Sequence, residues 1–168
     1  METALEHILT SAYKDEMISF MDSHPECFNE AIELAISNKQ PYSWRSAWLL
    51  WSCIEENDKR IKEHINNIIN SLANKKDGHQ RELLKILSQM ELNEEQEGLI
   101  FNVCMSVWEK INSRPSVRYT AFVFILKIAK KHPELRNEIA FFTQDQYLDS
   151  LSPGIKNSIS LMIKEFTP

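Results

Sequence analysis

Apolar residues recur along this chain at helical spacing, and proline interrupts the recurrence at intervals. Phe28, Ala31, Ile32 and Ala35 fall at i, i+3, i+4 and i+7, one face of a helix. Ile61, Ile65, Ile68, Ile69 and Leu72 line a second face, and Leu83, Leu84, Leu87 and Met90 a third. A longer one holds Ile100, Val103, Cys104, Val107, Trp108 and Ile111 in phase. Pro25, Pro41, Pro115, Pro133 and Pro153 each precede such a stretch. Proline is tolerated in a first helical turn, where its missing N–H would have had no partner. The pattern predicts nine helices, near residues 2–21, 25–37, 42–56, 58–73, 78–91, 93–111, 115–131, 133–148 and 153–166. Gly78, Gly98 and Gly154 are the only glycines and lie far apart, so neither hairpin turns nor a phosphate-cradling loop can be assembled from them. The fold class is all-α.

From the third helix onward, alternate helices repeat one another. Arg45, Arg81, Arg118 and Lys156 align at spacings of 36, 37 and 38 residues, the length of a two-helix repeat. Three residues on stand Trp48, Leu84, Ala121 and Ile159, and six on stand Trp51, Leu87, Phe124 and Met162. The segment Pro115-Ser116-Val117-Arg118-Tyr119-Thr120-Ala121, followed by Ile125-Leu126-Lys127-Ile128-Ala129, resembles the start of the second helix of a HEAT repeat. The resemblance covers about residues 25–166. It implies one domain, a right-handed α-α solenoid of four helix pairs near 25–56, 57–91, 93–131 and 133–166, with an N-terminal helix over 1–22. HEAT repeats carry an Asp before the Arg or Lys, and the two form a ladder between repeats. Here Asn38, Asn74 and Asn112 stand in three of those places, so weaker Arg–Asn bonds are expected.

Composition narrows the setting. The chain has 168 residues, 43% hydrophobic and 26% charged, with a formal net charge of −5. That balance suits a globular protein and excludes disorder. No apolar run approaches the ~20 residues of a membrane span, and Met1-Glu2-Thr3-Ala4 lacks the features of a signal peptide, so a cytoplasmic protein away from membranes is expected. Three cysteines, widely spaced, indicate neither a disulfide framework nor a zinc knuckle. Charge is uneven: residues 1–56 hold 3 basic and 10 acidic groups, and residues 113–168 hold 8 and 5. In a solenoid this becomes a gradient, compatible with head-to-tail self-association.

No catalytic constellation emerges. The histidines His7, His24, His64, His79 and His132 are scattered, and no paired-His metal spacing or Gly-x-Ser-x-Gly elbow occurs. Neither catalysis, a cofactor nor a metal is expected. Trp44, Trp48 and Trp51 form a single stripe at i, i+4 and i+7. Such a stripe is either core or an aromatic platform for bases or ligands. Core is the expectation, with Trp44, at the helix start, partly exposed. There is also a distant resemblance to AlkD-type alkylpurine DNA glycosylases, whose Trp-x-x-x-Asp pattern has an approximate counterpart in Trp51-Ser52-Cys53-Ile54-Glu55. DNA binding wants a basic field, which a net charge of −5 does not supply, so nucleic acid is not the expected partner.

A protein- or peptide-binding scaffold remains. Arg45, Arg81 and Arg118 would stack in a column on the second-helix layer, with Lys85 and Phe122 beside Arg81 and Arg118 at i+4. The helix over 115–131 is apolar nearly all round, so its surplus is either buried between layers or exposed as a patch. Guanidiniums beside an apolar strip centred on Phe122 suit an acidic, hydrophobic peptide. The competing reading is that the column only ties repeats together.

Overall fold

The computed structural model describes residues 1–166, and among them there are α-helices, short 3-10 turns and no strand. The helices are α1 (Ala4–Ser11), α2 (Lys14–Ser23), α3 (Phe28–Ile36), α4 (Tyr42–Cys53), α5 (Lys59–Lys62) and α6 (Ile65–Ser71). They continue with α7 (Asp77–Ser88), α8 (Glu94–Glu109), α9 (Pro115–Ala129), α10 (Arg136–Phe141), α11 (Asp145–Leu148) and α12 (Pro153–Phe166). Pro115 and Pro153 open α-helices, whereas Pro25 and Pro133 open 3-10 turns that lead into α3 and α10.

Three of the nine predicted helices are each broken in two, and the breaks have local causes. Ala12 is extended, and the Glu16 carboxylate accepts from the Tyr13 N–H at 2.9 Å, which starts α2 afresh. Asp58 caps α5 by accepting from the Arg60 N–H at 3.0 Å, but α5 lasts only four residues before α6. The sequence of α6, Ile-Asn-Asn-Ile-Ile-Asn-Ser, is poor in strong helix formers. The third break falls between α10 and α11, where buried Trp108 donates from Nε1 to the Phe142 carbonyl at 2.8 Å; within α11, Arg118 Nη2 meets the Tyr147 carbonyl at 2.6 Å.

The chain divides into two compact units, Met1–Leu92 and the part from Asn93 onward. Each contains two of the four repeats delineated from the sequence. In the first unit α4 is central and packs on α1, α2, α3 and α7, while α6 packs on α3 and α7. Ala47, Leu49 and Leu50 of α4 are fully buried. Small residues let α3 come close: buried Ser46 Oγ donates to the Ala31 carbonyl at 2.6 Å. In the second unit α9 packs on α8 and α12. Val117, Ala121, Phe122, Phe124, Ile125, Leu126 and Ile128 of α9 are all buried, and only Val123 is exposed among its large apolar residues. The apolar surplus of this helix therefore lies between layers and is not a surface patch.

Candidate functional site

The five residues expected to bind a partner occupy different environments. Arg118 and Phe122 are buried, at 0% and 1% exposure, which corrects the expectation of an exposed strip centred on Phe122. Phe122 instead packs on Trp108 of α8, with ring centres 4.5 Å apart. Arg118 donates from Nε to the Trp108 carbonyl at 3.0 Å and from Nη1 to Ser150 Oγ at 2.9 Å. Arg45 is half-buried, and its Nη1 donates to the Leu9 carbonyl of α1 at 2.8 Å. Arg81 and Lys85 of α7 are partly exposed as well, with side chains 37% and 28% exposed.

The expected Arg–Asn ladder does not form. Asn38 Oδ1 accepts from Lys75 Nζ at 2.8 Å, and that ammonium also binds the Ile36 and Ser37 carbonyls at the end of α3, both at 2.6 Å. What recurs is a basic side chain of a second-layer helix meeting a carbonyl in the last turn of a first-layer helix. Arg45 reaches Leu9, His79 Nε2 reaches Ala35 at 2.6 Å, and Arg118 reaches Trp108. Those carbonyls lack intrahelical partners and carry the negative end of the helix dipole, so donors are drawn to them. His79 is buried and uses both ring nitrogens. Nε2–H donates to Ala35, and Nδ1 accepts from the Gln40 amide at 3.2 Å, which is the neutral tautomer. Burial holds its pKa below the usual histidine value.

The partly exposed faces of α4 and α7 form one strip. Gly78 lies at its start, close to Trp44. A Cβ on Gly78 would stand 3.6 Å from the indole nitrogen, so the ring lies almost on the α7 backbone. Trp44 is 39% exposed, while Trp48 and Trp51 are half-buried. Lys14 of α2 sits over the Trp48 ring at 5.8 Å, and Lys85 over Trp51 at 4.8 Å. Beneath the strip lies Glu82, at 0% exposure. Its Oε1 accepts from Arg81 Nε at 3.2 Å and Nη2 at 2.9 Å, and its Oε2 from Lys85 Nζ at 3.0 Å. One buried carboxylate thus holds two cations in place. It leaves three guanidinium and two ammonium N–H groups for another acceptor.

Sequence reasoning named Arg81 and Lys85 but missed Glu82, although Glu82 and Lys85 at i and i+3 are a visible helix pair. Glu55, the counterpart of the glycosylase Asp, is exposed.

Other titratable groups serve as ties. In the second unit, burial would raise the pKa of Glu97, but Lys131 at 2.5 Å and His132 at 3.1 Å hold it below the usual value. Burial pushes the Cys53 thiol up to about 11 and that of Cys104 higher still. Among the described residues no group of His, Cys, Asp and Glu could hold a metal ion, and no helix is long and apolar enough to cross a membrane.

The helix pairs and their layer-to-layer ties define a helical repeat protein. The HEAT repeat domain matches residues 1–166, and the chain belongs to that family. Comparison with curated proteins and with solved structures finds no match in either.

Proposed function

We propose that this protein is a non-catalytic scaffold that binds another protein through the α4–α7 strip, and that the bound segment is acidic and partly apolar. HEAT repeats are generally scaffolds for protein interactions. The observation that carries the reading is the Glu82 clamp, which leaves Arg81 and Lys85 at the surface with donors to spare, next to an exposed indole. A carboxylate is the natural acceptor for such a guanidinium. The indoles argue against base stacking. Lys85 and Lys14 lie over the rings of Trp51 and Trp48, on faces a nucleobase would need.

The test is capture from the native cell with the wild type and with Arg81→Glu and Lys85→Glu side by side, read by mass spectrometry. A partner held by the wild type and lost by both variants, with melting temperature retained, supports the reading. Release of a methylated base from alkylated duplex DNA, abolished by Glu55→Gln, would replace it with the glycosylase alternative.

A further inference from the structure

If the strip is the binding surface proposed above, its own geometry fixes the register of the occupant. Two features of different chemistry lie at fixed separation on α7. The apolar one is the exposed Trp44 indole against Gly78. The cationic one is Arg81 with Lys85, held from below by Glu82. Gly78 precedes Arg81 by three residues and Lys85 by seven. At a helical rise of ~1.5 Å per residue the cations therefore stand roughly 4.5 to 10 Å along the axis from the indole. A chain in the polyproline II conformation advances ~3.1 Å per residue and returns a side chain to the same face every third residue, so a separation of three residues, roughly 9 Å, falls within this gap.

We propose that the occupant is a segment in the polyproline II conformation with an aromatic or large aliphatic side chain on Trp44 and an Asp or Glu three residues away. Its carboxylate is received by the remaining N–H groups of Arg81 and Lys85. A carboxylate placed outside the window lies out of reach of those N–H groups, so spacing as well as composition is selected.

The probes are synthetic eight-residue peptides in a Ser/Gly background, blocked at both ends. One carries Phe and Glu at i and i+3, a second carries them at i and i+6, and a third carries Phe and Lys at i and i+3. Binding to the full chain is followed by the NMR shift of the Trp44 indole N–H. The i, i+3 Phe–Glu peptide is expected to bind at least tenfold more tightly than either comparator. Arg81→Gln or Lys85→Gln, each checked for an unchanged melting temperature, is expected to abolish that preference. Equal affinity for the two spacings overturns the register, as does the absence of measurable binding by the i, i+3 peptide. Either failure leaves the scaffold reading to the native-cell capture, where loss of the partner in the charge-reversed variants does not depend on spacing.

Discussion

The guanidinium carbon of Arg118 lies 4.5 Å from the centre of the Trp108 ring, while its Nε donates to the carbonyl of that same residue at 3.0 Å. This fully buried cation has no carboxylate among its hydrogen-bond partners. Two carbonyls, a hydroxyl and an indole face do the work of water around it. Burial pulls its pKa down, yet a guanidinium keeps its proton.

Replacing Arg118 by Met leaves the Trp108 and Tyr147 carbonyls without these donors. We expect a loss of about 3 kcal/mol, since an unmet buried polar group costs 1–3 kcal/mol. Lys at this position recovers only part, because it lacks the planar fork that reaches three acceptors. Urea denaturation with hydrogen exchange over residues 93–166 measures both.

The all-α fold and the positions of the helices were legible in the sequence because proline and apolar spacing are local signals. The breaks were not, because a local cap such as Glu16 on the Tyr13 N–H is masked by continuous apolar spacing, and the break after α10 involves the distant Trp108 indole on the Phe142 carbonyl. The binding column was misread for a geometric reason. Aligning Arg45 with Arg81 assumes an offset of 36 residues, but Trp44 lies by Gly78 and Trp51 under Lys85, an offset of 34. Two residues are ~200° of helix rotation, enough to exchange the inner face for the outer. The residue that matches Arg45 in tying layers is His79, which no charge pattern marked.

His79 makes stability pH-dependent. Its folded pKa lies below the ordinary 6.5, chiefly through burial. Between those two values the unfolded chain binds a proton that the folded one does not, so stability is fully present above about 6.5 and falls as pH drops. The lowered carboxyls of Glu6, Asp58 and Glu97 act in a separate window, at and below about 4.5. We expect the melting temperature to fall from pH 7.5 to 5.5 and His79→Gln to flatten that slope. An identical slope in the variant would contradict the assignment.

Glu82→Gln removes the charge that holds Arg81 and Lys85. The expected loss is about 2 kcal/mol, the size of hydrogen bonds to charged groups. It is measured by urea titration of the wild type and the variant.

All three cysteine thiols have raised pKa values, with burial the leading cause. The thiolate is the reactive form, so at pH 8 the native protein should react slowly with a disulfide reagent, Cys104 last. The full three-thiol titre is expected only in denaturant. Rapid reaction of Cys104 in the native state would contradict its burial.

The claim that the α4–α7 strip meets a partner protein is tested most directly by a photo-cross-linking residue in place of Trp44, irradiated in the native cell. A second such residue replaces Val123 on α9 as the control. We expect position 44 to cross-link to one protein, within an acidic segment of it, and Arg81→Glu to abolish that product. Cross-linking at position 123 but not at 44, or a product at 44 that survives Arg81→Glu, would contradict the account.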